Sequence, residues 1–509
     1  LQYVKICKNQ NILKINSFFQ RCKCHIATKT GLENQIAPEV GSINMQNSKL
    51  ISLLRSFSAR ERRSFRDLVA SPYFNRNGDL MRLADWLDTW APEYANVERE
   101  AAHQYLFPNE KPDEARLNHL MSFLLKLAED FVGLEGYWTE KNQHTLQVLK
   151  SLESRNLEKH YQFNLQKARR SFELEQKPSA NAFLENYSLE ILEAEHFARN
   201  SPRQFNESVQ KATDNLDAFY LLEKLRRTCY MYTSQAILAT PYNLQLVEEI
   251  CKFTESNLPR LHTPAIEAYF RVYQLLVKEH PHEDFKALKN LIAFRADEFN
   301  AEDLSDIYQY AINFCNIQIN RAQESYLLEA FELYIKGLDS GIMLSNQTLS
   351  PWHFKNIINL TLRLKKYDWA ENFIVEKNRW LPPEFQVDAL HYNLAQLYYN
   401  TGRRSEAMFH LNQVEFTDIH YSLGGKFMLC QIYYENDDFD ALESLLHAFN
   451  IFLRRNKLIA EQTRQAFLTF VQIMRKILRT QPQNYPAVIQ QIESNRVIAG
   501  KDWLLKILS

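Results

Sequence analysis

The stretch LAQLYYNTGRRSEAMFHLNQV, residues 394–414, decides how the rest of the chain is read. Leu394, Ala395 and Tyr398 recur at helical spacing, and so do Ala407, Leu411 and Val414. Between the two runs lies a polar turn around Gly402, and glycine just past the last periodic residue is a helix stop signal. The stretch therefore predicts two helices folded against each other, crossing over small alanines. The pattern repeats. Ala441 follows Ala407 by 34 residues, and Ala370 precedes it by 37. The later copy reads Met428, Leu429, Ile432, Asn436, Ala441, Leu445, Ala448; the earlier reads Ile357, Ile358, Thr361, Lys365, Ala370, Ile374, with extra residues around Pro382-Pro383. A fixed period of this size means stacked helix pairs, each burying the apolar face its neighbour leaves open.

These residues and their spacing resemble the tetratricopeptide-repeat family over the C-terminal third of the chain. Two departures stand out: only the middle copy has the turn glycine, and no copy has the family's tryptophan and terminal proline together. The resemblance implies a right-handed α-solenoid with a concave groove lined by fixed positions of each first helix. Carried over residue by residue, those are Trp352, Lys355, Asn359, Leu362 and Arg363, then Ala389, Tyr392, Gln396, Tyr399 and Asn400. The third copy supplies Leu423, Lys426, Cys430, Tyr433 and Tyr434. Tyrosines, amides and a few cations suit an extended peptide, giving rigid contact area and hydrogen bonds. Some family members hold a peptide carboxylate in a clamp whose first three positions match Lys355, Asn359 and Asn393; Leu423 and Phe427 replace the last two. The alternative is that the groove packs against the protein's own N-terminal helices.

Working outward, Ser58-Ala-Arg-Glu61 is a capping box that opens a helix through Phe65, Leu68 and Val69. Ser71-Pro-Tyr-Phe-Asn75 ends it, and further helices carry Leu80 to Trp90 and Leu117 to Phe131 inward. This 45–135 block resembles bacterial helical proteins without an assigned function. Residues 45–75 carry a local net charge of +4, with Arg60, Arg62, Arg63 and Arg66; Arg116 and Lys126 share a polar stripe on a later helix. Such a surface is a solvated helix face, a meeting place for phosphates, or a site for an acidic protein. From 136 to 340 the expectation is an unbroken array of helices, including single long ones over 142–176, 179–199 and 204–238. Residues 481–509 read as capping helices. The 44 residues before Met45 are basic and cysteine-rich, with Cys7, Cys22 and Cys24. They read as an upstream-extended frame or a disordered leader, and Cys22-x-Cys24-His25 lacks the second pair a zinc finger needs.

Composition narrows the functional classes. The chain has 11 glycines and 16 prolines in 509 residues, where average usage gives roughly 36 and about 25. No glycine occurs in the 200 residues between Gly136 and Gly337, which excludes a phosphate loop, a dinucleotide fingerprint or a nucleophile elbow there. Sixty basic against 61 acidic residues give no global pull toward nucleic acid or anionic membrane. No apolar run is long enough to span a bilayer, and seven scattered cysteines suit a reducing, cytoplasmic compartment. Three Glu-x-x-His pairs, Glu100/His103, Glu193/His196 and Glu279/His282, fall short of a di-iron set. The expectation is an all-α protein: a right-handed α-solenoid of antiparallel helix pairs behind an N-terminal helical domain. It is read as non-enzymatic, with no cofactor and no metal, binding a protein or peptide partner in its groove. A regulator with a nucleic-acid-binding N-terminal domain is the second reading.

Overall fold

Twenty-three α-helices make up a computed structural model that describes residues 45–509 apart from Asn96, Gln176, Ser201, Pro202, Ala239, Thr240, His262, residues 415–418 and Arg496. The leader and its Cys22-x-Cys24-His25 therefore lie outside the described residues. The fold is all-α; the sheet among these residues is one hairpin of two-residue strands, β1 (Leu344–Ser345) and β2 (Thr348–Leu349). None of these helices is long and apolar enough to cross a membrane. The chain divides into two compact units: among the described residues, one spans 45–175 and 183–216, and the other takes in Lys177–Ala182 with Asp217–Ser509.

The N-terminal unit contains α1 (Lys49–Arg55), α2 (Ala59–Ala70), α3 (Gly78–Asp88), α4 (Arg99–Leu106) and α5 (Glu114–Thr139). It continues with α6 (Lys141–Ser154), α7 (Glu158–Glu175), most of α8 (Ala180–Asn200) and the start of α9 (Glu207–Leu238). The capping box forms: Glu61 N donates to Ser58 Oγ at 3.2 Å, and Ser58 N donates to Glu61 Oε2 at 2.7 Å. This satisfies two of the donors a helix start leaves open. Behind it, the rings of Phe57, Phe65 and Phe131 meet at 5.4–5.6 Å and join α2 to α5. In the turn after α2, Asn75 is buried and donates to Val69 O at 2.9 Å, leaving Tyr73 and Phe74 outside. The division expected at residue 135 falls within α5, which runs through Gly133 and Gly136. A β-carbon at either glycine would meet open space. No close packing explains these glycines, and they end nothing.

The C-terminal unit holds the rest of α9, then α10 (Val247–Asn257), α11 (Pro264–Val277), α12 (His282–Phe294), α13 (Ala301–Asn320) and α14 (Tyr326–Asp339). The hairpin follows, then α15 (Pro351–Arg363), α16 (Tyr367–Lys377), α17 (Pro383–Asn400), α18 (Arg404–Leu411) and α19 (Ile419–Glu435). It ends with α20 (Phe439–Arg455), α21 (Glu461–Arg479), α22 (Tyr485–Ser494) and α23 (Lys501–Lys506). Helices adjacent in sequence touch as α11 with α12, α13 with α14, α15 with α16, α17 with α18, and α19 with α20. Helices two apart also touch: α11 with α13, α15 with α17, and α17 with α19. Polar groups join helices where burial would otherwise strand them. Tyr269 Oη donates to buried Asp303 at 2.9 Å, and Arg226 lies 3.6 Å from the same carboxylate.

One turn recurs. At Asn156, Ala322, Lys365, Gly402 and Asp437 the chain is left-handed, with φ between 54° and 79°. Each of these residues donates its N–H to the carbonyl three back, and the next residue donates five back. At Gly402 these are Tyr399 O at 3.2 Å and, from Arg403, Tyr398 O at 2.8 Å. At Ala322 they are Ile319 O at 3.1 Å and, from Gln323, Gln318 O at 3.0 Å. This is the Schellman closure, which spends orphan carbonyls of a helix end in reversing the chain. It splits the single helix expected over 142–176 into α6 and α7, because asparagine tolerates the left-handed region without help from glycine or proline.

The turns also set the repeat register. Lys365, Gly402 and Asp437 are 37 and 35 residues apart, so the third copy sits one residue later than the alanine spacing of 34 implies. Leu442, fully buried, takes the inward place expected for half-buried Ala441. Cys430, with Ala395 and Ile358, completes a row of fully buried first-helix residues.

Four of the five turns put a side chain where left-handed backbone costs roughly 1–2 kcal/mol. Exposed Ala322 has no polar group to offset that cost. Ala322→Gly is expected to stabilise the protein by about 0.5–1 kcal/mol, after the extra unfolded-state entropy of glycine. Urea denaturation measures it; a loss of stability would show that the turn carries no strain.

Candidate functional site

The face expected to hold a partner runs along α15, α17 and α19, and side chains meet across it from helix to helix. On α15, the Lys355 ammonium lies 4.7 Å from the ring centre of Tyr392 and 5.5 Å from that of Tyr421. A cation over two aromatic faces is held by their quadrupoles. Tyr392 reaches Gly424 of α19 so closely that a β-carbon there would meet its hydroxyl at 2.2 Å. One turn along, Gln396 Nε2 donates to Asn359 Oδ1 at 2.7 Å, linking α17 to α15. Farther along, Tyr399 Oη donates to Glu435 Oε1 at 2.8 Å, linking α17 to α19. Arg404 Nε donates to the other carboxylate oxygen at 2.9 Å. Burial and the Glu435 carboxylate both push the Tyr399 hydroxyl pKa above its ordinary value.

Two acceptors on this strip are unmet among the described residues. Asn393 is fully buried; its Nδ2 donates to Ala389 O at 2.7 Å, and its Oδ1 has no hydrogen-bond partner. Gln396 Oε1 is likewise buried without one. An unsatisfied buried acceptor costs roughly 1–3 kcal/mol.

The remaining expected residues divide. Trp352 is half-buried at the start of α15; exposed Arg363 lies 3.8 Å from Glu324, and exposed Asn400 donates to Gln396 O within its own helix. In the third copy the one-residue shift matters. Phe427, Tyr434 and Glu435 occupy the register of Tyr392, Tyr399 and Asn400, displacing Lys426 and Tyr433 from those places. Lys426 instead lies over the Phe452 ring of α20 at 5.5 Å, and desolvation lowers its pKa. Tyr433 packs at the margin of the core that contains Leu423 and Cys430. Glu435 went unseen in the sequence because the copies were aligned on alanine; aligning on the turn residue finds it.

Half of the basic side chains named in the sequence face carboxylates. Arg66 contacts Asp85 at 3.1 Å and Asp88 at 3.2 Å, and Arg62 lies 3.7 Å from Asp88. Arg116 meets Glu110 at 2.7 Å, Asp79 at 3.3 Å and the Phe107 ring at 3.5 Å. Arg63 donates to Ala59 O, while Arg60 and Lys126 are exposed.

Groups able to carry chemistry have structural partners. His103 Nε2 accepts from Asp113 N at 3.0 Å, and His282 Nδ1 lies 2.5 Å from Tyr326 Oη. His196 stacks on Tyr161 between Glu153 and Glu158, while Glu193 pairs with Arg169. Among the described residues, no three His, Cys, Asp or Glu side chains are placed to hold a metal. Burial pushes the Cys251 thiol up to about 11 and Cys430 to about 12, so neither is a ready nucleophile.

No protein-family model matches the chain, and no curated protein matches it.

Between α17 and α18, His391 Nδ1 and His410 Nδ1 lie 2.9 Å apart, so one must donate and the other accept. Desolvation lowers both pKa values from 6.5, and for His410 the neighbouring His391 lowers it further. The unfolded chain thus takes up protons more readily than the folded one. Stability is expected in full above about pH 6.5 and to fall as pH drops through the lowered folded values. His410→Gln should flatten that slope between pH 7 and 5 in denaturant titrations; an unchanged slope would remove the pair as its cause.

Proposed function

We propose that this chain is a non-enzymatic interaction protein that holds a protein or peptide partner against the first-helix face of α15, α17 and α19. In this reading the C-terminal helix pairs stack as a right-handed, tetratricopeptide-like solenoid, and the face is its concave side. The contacts between helices two apart support the stacking. The observation that carries the reading is the ladder of side chains crossing it: Lys355 to Tyr392, Asn359 to Gln396, Tyr399 to Glu435. Such a ladder fixes the orientation of polar groups before a ligand arrives, which lowers the entropy cost of binding. Lys355, half-buried over the Tyr392 ring, supplies positive charge on this face.

The nucleic-acid reading is weakened by the same kind of observation. Phosphate binding needs cations that release counterions, and Arg62, Arg66 and Arg116 already face carboxylates. Duplex DNA is expected not to bind in 50 mM salt; salt-dependent binding lost on replacing Arg60 and Arg63 would restore that reading.

The main test pairs Lys355→Ala with Gln396→Ala, two half-buried residues of the ladder. Affinity for a partner captured from the native host should fall at least tenfold, with helix content by circular dichroism retained. Unchanged affinity would overturn the assignment of this face.

A further inference from the structure

The helix seated on the α19 part of this face belongs to the chain itself. Gly500 opens α23 in a left-handed conformation, φ +66°, and lies so close to Phe427 that a β-carbon would meet its ring at 2.4 Å. Lys501 Nζ donates to Glu493 O at 2.8 Å and Asn495 O at 3.4 Å, fixing where the helix begins. Trp503 then lies with its ring centre 5.7 Å from Tyr434 and 6.3 Å from Phe470. Its Nε1 donates to Glu435 Oε1 at 2.8 Å, the oxygen that also accepts from Tyr399. Leu504 and Leu508 are buried beside it, while Asp502 is exposed.

A helix that merely closed the end of a stack would bury its apolar side on the last pair. This one touches α22 and α21, and also reaches α19 at Phe427, Tyr434 and Glu435. Those three residues stand in the register of Tyr392, Tyr399 and Asn400. The helix is short, six residues, and its polar hold on α19 is one indole hydrogen bond to a carboxylate already shared with Tyr399 and Arg404. Indole is a common anchor of helix-in-groove recognition, because it joins large contact area to a single directed donor.

We propose that α23 is an intramolecular ligand of the partner face, filling its α19 end until an amphipathic partner helix carrying a tryptophan displaces it. The proposal rests on the function proposed above and deepens it. It specifies the partner's chemistry: an indole N–H for Glu435, followed by leucine or isoleucine at the positions of Leu504, Leu505 and Leu508.

The probe is a fluorescein-labelled peptide of residues 497–509, titrated into the full-length chain and into full-length Trp503→Ala. The variant frees the site, so it should bind the peptide at least tenfold more tightly than the native chain. A peptide carrying the same Trp503→Ala change should bind neither. Equal affinity for the two chains, or no binding to a Trp503→Ala chain with native helix content, would overturn the proposal. Hydrogen exchange on the native chain gives a second reading that needs no variant. Amides of α23 should exchange at least tenfold faster than those of α21, and equal protection would also overturn it. The two readings separate cleanly. If the peptide binds as expected while Lys355→Ala with Gln396→Ala leaves partner affinity intact, the self-contact stands and the partner assignment fails.

Discussion

Five helix pairs, α6–α7, α13–α14, α15–α16, α17–α18 and α19–α20, depend on a residue held in left-handed backbone, because that conformation lets two orphan carbonyls be spent in reversing the chain. The closure at Asn156, Ala322, Lys365, Gly402 and Asp437 is the same to within a few tenths of an ångström in its hydrogen bonds. It fixes where the first helix stops, how soon the second starts and which side chains face inward. The first-helix ladder follows from it. Lys355, Tyr392 and Phe427 share a place because each lies ten residues before its turn residue.

That constraint explains which parts of the fold were legible. Glycine scarcity and 3.6-residue periodicity are properties of apolar spacing, and they led correctly to an all-helical chain. The Ser58 capping box was readable because both of its bonds come from side chains at fixed spacing. The turns were harder. Only Gly402 announces itself, whereas asparagine, alanine, lysine and aspartate adopt the same conformation where packing supplies the energy. The break at Asn156 was missed for that reason. Conversely, Gly133 and Gly136 lie inside α5 and end no helix.

The site was legible in kind more than in detail. Tyrosine, amide and lysine positions along the first helices could be listed once a register was chosen; Lys355 does meet Tyr392 and Asn359 meets Gln396, while Tyr399 meets Glu435. Glu435 could not be found that way, since a one-residue lengthening before Asp437 moved it into the place assigned to Tyr434. Pairing partners were also invisible. Charge counting gave residues 45–75 a positive surface, but Asp85 and Asp88 come from the next helix and pair with Arg62 and Arg66. Charge in a sequence window is local, while ion pairing is set by which helices touch.

The central claim is that partners meet the first-helix face and not the outer helices. A photo-crosslinking amino acid placed at Gln396 on α17, compared with one at Phe409 on α18, separates these two surfaces most directly. Phe409 is 61% exposed and lies on a second helix. The account predicts a covalent adduct with the native partner from position 396 and none from 409. Adducts from 409 alone would contradict it.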